Sequence, residues 1–388
     1  MAAGQFERPL AFTIPVYSFM SFMTKTGSFL GLTALRNLVS DSMAIDMGSA
    51  STIVAVRGRG VVIDEPSVVA VDRMSGEVLA VGLEARKMQG REARDVVVIA
   101  PLIDGVVADF ETTRAMLDHF VQEARSGISH FSRRAIMSVL SGVTQVEQRA
   151  LLSAAEAAHI GRVYMVEEGL AAAIGAGVAV DDPHASAVVD VGAGTTNVAT
   201  IVNGTIIAAR AERVGSSDID SAIMDRLRRH RGLTIGIPTA ERIKLELSGA
   251  LEPKDTQRKM EVRGRDVQTG SPGAVNVTVG EVYGVTLPII RRIAEEVRST
   301  LTELPAEVAG DIYDRGLILT GGGALLPGLA QYLQKEIGLT VMVAEEPRLA
   351  IVRGLAQMYD EPLLLRRVAR TEAHPMIDMQ DAILESYE

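Results

Sequence analysis

The chain contains no cysteine and no tryptophan, and aromatic residues make up only 4% of it. Without cysteine there is no disulfide frame, no thiol nucleophile and no thiolate metal site, and a reducing compartment is compatible. Scarce rings argue against an aromatic recognition surface, while abundant Gly, Ala, Val and Met favour tight backbone packing. Positive charge is also in short supply. The net charge of −10 speaks against nonspecific nucleic-acid binding as the main task. The apolar stretch LAFTIPVYSFMSFM (10–23) is shorter than the ~20 residues that span a bilayer, and Pro15 interrupts it. It also lacks the basic start and small-residue cleavage site of a secretory signal, Arg8 being offset by Glu7. Met20 and Met23 are alternative starts within it.

What is present is more telling. A length of 388 residues predicts two or more domains. Asp46-Met-Gly48-Ser49-Ala50-Ser51-Thr52 and Asp190-Val-Gly192-Ala193-Gly194-Thr195-Thr196 share one template, with Gly two residues and Thr six residues after an Asp. Each follows an apolar run that reads as a strand and leads into another, so each reads as a hairpin headed by Asp. Backbone N–H groups in such turns form anion-binding nests. Glycine permits close approach to a ligand, and an Asp at a strand end can hold Mg2+ through water. Two copies in register, with a third glycine run at Thr320-Gly321-Gly322-Gly323-Ala324, predict a nucleotide clamped between two lobes.

Around these motifs the pattern alternates between strand and helix, which predicts an α/β architecture with the ligand at the strand ends. Strands are expected near 43–47, 52–57, 61–64 and 67–72, and again at 187–189 and 198–202. Helices are expected at 112–124, 145–159, 218–229, 239–248 (with Thr239 as its cap), 282–304, 326–336 and 348–358. A hairpin is expected within 251–280. Residues 29–39 read as an amphipathic helix with Leu30, Leu35 and Leu38 on its apolar side. Residues 361–388 are charged, weakly periodic and expected to form a mobile tail.

The motifs closely resemble one family, MreB and MreB-like (Mbl) proteins, the bacterial actins of the superfamily that also holds actin, heat-shock chaperones and sugar kinases. The resemblance is carried by AIDMGSASTIVAVRGRGVVIDEPSVVAV (44–71), PLIDGVVADFETTRAML (101–117), TQVEQRA (144–150) and EEGLAAAIGAG (167–177). It continues through VVDVGAGTTNVATI (188–201), TAERIKLELSGA (239–250), MEVRGRD (260–266) and DRGLILTGGGALLPGL (314–329). These segments run in family order over residues 29–358.

The resemblance implies an actin-like fold, two related lobes around a nucleotide cleft, each with a smaller inserted subdomain. Lobe I would span 43–180 with its insert near 74–100, and lobe II 181–360 with its insert near 226–312. An N-terminal extension (1–28) and a membrane-targeting helix (29–42) would precede them.

It further implies ATP and Mg2+ as cofactors. Asp46 and Asp190 would hold the metal through water. Gly48, Ser49, Ala50 and Ser51 would receive the phosphates, and Gly192, Ala193, Gly194, Thr195 and Thr196 would wrap their other side. Glu241, Arg242, Ile243 and Lys244 would meet ribose and base, with Glu241 and Lys244 on one helical face. Gly322, Gly323, Ala324 and Leu325 would open a helix toward the nucleotide. Glu147 would orient the attacking water, with Asp190 and Thr195 nearby, in a slow ATPase.

Implied partners are further copies of the chain in filaments, the inner face of the cytoplasmic membrane, and the cell-wall synthesis and elongation machinery, with no nucleic acid. Membrane contact would fall to the 29–39 helix or to an apolar loop containing Ile128 and Phe131. Alternatives are an actin-like filament for plasmid segregation or organelle positioning, a chaperone-type ATPase, and a small-molecule kinase.

The chain also departs from the family pattern. Ala193 stands where Gly is usual, Asn197 where Glu is usual, and Leu140 and Gly169 where Pro is usual. Ser216-Ser217 replace Gly-Asp, and VRGLA (352–356) replaces a Gly-rich run. A methyl at Ala193 would strain a turn that needs positive φ, which leaves hydrolysis more exposed to change than binding.

Overall fold

The computed structural model describes residues 42–124 and 134–369. The segments expected to touch membrane, with Leu30, Leu35, Leu38, Ile128 and Phe131, lie outside the described residues, as do the extension 1–28 and residues 370–388. Among the described residues no helix is long and apolar enough to cross a membrane.

Two five-stranded sheets share one topology. In the first, strand Ser42–Met47 lies at the centre. It pairs antiparallel with Ser51–Val56 and parallel with Arg134–Val139, and Gly60–Pro66 and Arg162–Glu167 form the edges. In the second, Ser186–Val191 holds the same central place. It pairs antiparallel with Thr196–Val202 and parallel with Leu317–Thr320, with Thr205–Glu212 and Val341–Val343 at the edges. The central strands are buried almost throughout, which accounts for their uninterrupted apolar runs. Two three-stranded sheets accompany them. One contains Val69–Asp72, Val78–Val81 and Val96–Ile99; the other contains Leu233–Thr234, Lys259–Asp266 and Pro272–Thr278.

The strand of each half that lies beyond the parallel pair leads into a helix, Glu168–Gly175 after Arg162–Glu167 and Ala350–Gln357 after Val341–Val343. These helices cross at glycines. A Cβ on Gly175 would lie 1.7 Å from the carbonyl oxygen of Ala350, and one on Gly354 would lie 1.9 Å from that of Ala171. Backbone packs on backbone there, and the two halves share one core containing Ala44, Ile136, Ala171, Val188, Val352 and Leu355.

Three expectations about elements change. Helix Ile237–Leu247 begins two residues before Thr239, because Pro238 fits the first turn, where no backbone donor is needed; Gly236, not Thr239, is its N-cap. The glycine run at 322–325 forms a four-residue 3-10 turn rather than opening a long helix. Pro327 and left-handed Gly328 separate it from helix Leu329–Ile337. Residues expected in a mobile tail instead include helix Pro362–Val368, whose Leu364 is buried and whose Arg367 pairs with Asp181.

Helix Val279–Thr302 starts with a capping box, Thr278 and Glu281 each bonding the other's backbone N–H. Within it Gly284 is exposed, and an added Cβ would meet nothing within 4 Å. Gly284→Ala is expected to stabilise the protein by about 0.5–1 kcal/mol, read as a higher urea midpoint.

Candidate functional site

The doubled hairpins meet across one cleft of about 840 Å³. In the first, Gly48 N–H donates to Ser51 C=O at 3.0 Å; in the second, Gly192 N–H donates to Thr195 C=O at 2.8 Å. The Asp at the head of each is held by a hydroxyl from the neighbouring parallel strand. Ser138 Oγ donates to Asp46 Oδ1 at 2.8 Å, and Thr320 Oγ1 donates to Asp190 Oδ1 at 2.8 Å.

Both carboxyls line the cleft and titrate high. Burial lifts Asp46 to about 7, opposed by the Ser138 hydrogen bond and reinforced by the Asp190 charge. Burial lifts Asp190 to about 6, opposed by Thr320. Glu168, also at the cleft, is raised well above the usual carboxylate range by burial and then by Asp46 and Asp190. Among the described residues no group of three such side chains is arranged to ligate a metal ion directly, so Asp46 and Asp190 could hold a hard divalent ion only through its water shell, as Mg2+ commonly binds.

A turn from the first half joins the hairpins. Gly105 N–H donates to Ser49 Oγ at 2.9 Å, while Asp104 packs so closely on Gly194 that a Cβ there would lie 2.8 Å from Asp104 Oδ1. Ala193 does not have positive φ. The methyl that replaces the family glycine therefore brings no backbone strain. Asn197 is buried, does not line the cleft, and donates through Nδ2 to Glu168. Its effect reaches the cleft through that carboxylate.

Most of the expected residues converge. Asp46, Gly48, Ser49, Ala50, Ser51, Asp190, Gly192, Ala193, Gly194, Thr195, Glu241, Lys244, Gly322, Gly323 and Leu325 line the cleft. Thr196, Arg242, Ile243 and Ala324 do not. Thr196 Oγ1 instead donates to Val214 C=O at 2.8 Å, and Ile243 and Ala324 belong to the core of the second half.

Glu147 faces a small adjoining cavity of about 20 Å³ that shares Gly105 and Glu168 with the cleft. Such a volume holds about one water. Glu147 is also the third residue of a capping box: Oε2 accepts from Thr144 N–H at 2.8 Å and from Thr144 Oγ1 at 2.7 Å. Those bonds, with the Arg213 guanidinium adding to them, hold its pKa below the usual carboxylate range, so it is ionised; Oε1 lies 3.8 Å from Arg213 Nη2.

Two cross-cleft ion pairs were not anticipated from sequence, Arg86 with Glu241 and Arg348 with Asp64. Asp220, Ser216 and Ser217 also line the cleft. Their partners are distant in the chain, so no local pattern reveals them.

Comparison with known proteins agrees with this geometry. The chain is 41% identical over 328 residues to the cell shape-determining protein MreB of Escherichia coli (strain K12), covering 83% of this chain and 94% of that one. It is 40% identical over 318 residues to the cell shape-determining protein Mbl of Bacillus subtilis (strain 168), covering 82% and 95%. Crystal structures of MreB5 of Spiroplasma citri, bound to ADP and to AMPPNP, superpose with a TM-score of 0.78 at 29% identity, covering 84% of this chain and 97% of theirs. The MreB/Mbl protein family model matches residues 40–366, and the chain belongs to that family of actin-like proteins.

Proposed function

We propose that this chain is an actin-like cytoskeletal protein that binds an adenine nucleotide with Mg2+, assembles with further copies of itself into filaments, and determines cell shape. The reading rests on the duplicated Asp-headed hairpins facing one cleft in a member of the MreB/Mbl family. The relative MreB5 holds ADP or AMPPNP, and the cleft here offers matching chemistry. The hairpin residues Ser49–Ser51 and Gly192–Thr195 would receive the phosphates, and Asp46 and Asp190 would hold the water shell of a magnesium ion. The bound ion would offset phosphate charge. Glu147 Oε1 would accept a hydrogen bond from the water in the adjoining cavity and so orient it.

Filaments on the inner membrane face, reached through residues 29–39 or 128–131, would organise cell-wall synthesis. Sedimentation of purified protein with and without ATP and liposomes, alongside phosphate release, tests this. A protein that neither pellets nor binds nucleotide would sink the reading.

For Glu147 the expected outcome is specific. Glu147→Ala lowers phosphate release tenfold or more while nucleotide affinity stays within about threefold. It also removes the Glu147 half of the capping box, leaving Thr144 as N-cap. Glu147→Gln keeps a capping side chain and separates the two effects. Unchanged release in both variants would remove Glu147 from the water-orienting role.

A further inference from the structure

Glu147 and Arg213 come from opposite halves of the molecule. Glu147 is in the first turn of helix Gln145–Ala157, which follows strand Arg134–Val139 of the first sheet. Arg213 lies just after Thr205–Glu212, an edge strand of the second sheet. The segment that carries Arg213 is bonded closely to the second hairpin. Thr196 Oγ1 donates to Val214 C=O at 2.8 Å, Ser216 N–H to Gly192 C=O at 3.1 Å, and Ser217 N–H to Ala193 C=O at 2.8 Å. Gly215 packs on the same turn, where a Cβ would lie 2.2 Å from the Ala193 carbonyl oxygen. Arg213 is therefore fixed to the hairpin that faces the cleft, and its guanidinium carries the position of that hairpin to Glu147.

The geometry of the pair limits what it can do. At 3.8 Å Arg213 Nη2 is beyond hydrogen-bond range of Oε1, so the lone pairs there stay open to a water. What acts is charge. The Arg213 side chain is 65% exposed, and an ion pair so placed adds little to stability. Arg213 also lines neither the cleft nor the small cavity, whereas Glu147 lines the cavity. Any effect of Arg213 on chemistry at the cleft must then pass through Glu147. Thr144 anchors Oε2 twice, which leaves rotation about that anchor as the remaining freedom of the carboxylate. A positive charge supplied by the second half biases that rotation and draws Oε1 toward the second hairpin.

We propose that Arg213 is a positioning residue for hydrolysis: from the second half it holds Glu147 Oε1 turned toward the second hairpin, so that a water in the small cavity is oriented when the two halves stand together. This rests on the nucleotide reading and on the water-orienting role of Glu147 given above. The test measures phosphate release at saturating ATP with Mg2+, ATP affinity and the urea midpoint. It compares the full chain with Arg213→Ala, Arg213→Lys, Glu147→Gln, and Arg213→Ala combined with Glu147→Gln.

Arg213→Ala is expected to slow release about fivefold while affinity stays within about twofold. Its urea midpoint is unchanged, since so exposed a pair does not hold the fold. Arg213→Lys keeps the charge and retains most of the rate. In the Glu147→Gln background Arg213→Ala produces no further loss, because it acts through that carboxylate. Four results would each overturn the assignment of Arg213 alone: release in Arg213→Ala at or above the full-chain rate, a loss seen in affinity or stability instead, Arg213→Lys as slow as Arg213→Ala, or losses that multiply in the double variant. Unchanged release in Glu147→Gln removes the water-orienting role and this proposal with it. A full chain that binds ATP but releases no phosphate overturns both of those and spares the nucleotide reading. One that binds no ATP overturns all three.

Discussion

Gly354→Val is expected to destabilise the protein by about 3 kcal/mol or more, a large part of the ~5–15 kcal/mol that holds a folded protein together. A Cβ at position 354 would lie 1.9 Å from the Ala171 carbonyl oxygen and 2.9 Å from the Gly175 backbone nitrogen. Neither neighbour is a flexible side chain that could swing away, so the helices Glu168–Gly175 and Ala350–Gln357 would have to separate. Separation opens the core around Val188, Val352 and Leu355 and disturbs both central sheets together. The change should appear as a lower urea midpoint or as loss of soluble folded protein. Gly310→Ala is the control: Gly310 also lies in a helix, but its Cβ would meet nothing within 4 Å. If both substitutions behave alike, the clash at Gly354 is not what governs stability there.

This contact shows where sequence reading stops. Asp46 and Asp190 were legible because each motif is local: an apolar strand, an Asp, a glycine two residues on, and a second strand. Duplication of the motif supplied the two halves. Gly175 and Gly354 are 179 positions apart, and nothing in either segment says that one faces the other. Locally each reads only as a residue that weakens a helix. The same holds for Lys244 with Asp220 and for Arg86 with Glu241, whose pairing depends on how separate elements are brought together.

Glu147 was legible only in part. Thr144-x-x-Glu147 is also a legible cap, and the structure gives Oε2 to that cap and sets Oε1 3.8 Å from Arg213 Nη2, a partner 66 positions away that no local pattern reveals. For Ala193 the sequence could pose the question of positive φ but not answer it, because the turn's geometry depends on how Gly215 packs against the Ala193 carbonyl. Asn197 faced a similar limit. Its partner Glu168 lies in a helix of the other half, so the loss of a charge from this position could be read, but not the carboxylate it now serves.

Asp46→Asn is expected to stabilise the protein without metal or nucleotide at pH 8 and to abolish Mg2+-dependent nucleotide binding. The Asp46 carboxyl titrates at about 7 when folded, against 3.8 for an unperturbed Asp, and Asp190 at about 6. Between about pH 4 and 7 the folded state therefore keeps protons that the unfolded state has released. Stability must fall as pH rises through that window. Once Asp46 is ionised its burial costs on the order of 4 kcal/mol, about three pKa units.

Asparagine removes that charge and can still accept from Ser138. At pH 3, where Asp46 is protonated in both the folded and the unfolded state, the variant and the wild type should have similar urea midpoints; the variant should be the more stable by pH 5 and still more so at pH 8. On the proposed reading, in which Asp46 is one of two carboxylates that would orient the water shell of a magnesium ion, Mg2+-dependent nucleotide affinity should drop by about a hundredfold or more. In the wild type that affinity should strengthen as pH rises through 6 to 7, opposite in sign to the stability of the empty protein. A variant less stable than wild type at pH 8, or one that keeps Mg2+-dependent affinity, would show that Asp46 does not hold charge for a cation. The opposed slopes separate a carboxylate kept for a ligand from one kept for the fold, since a structural ion pair would lose stability and binding together.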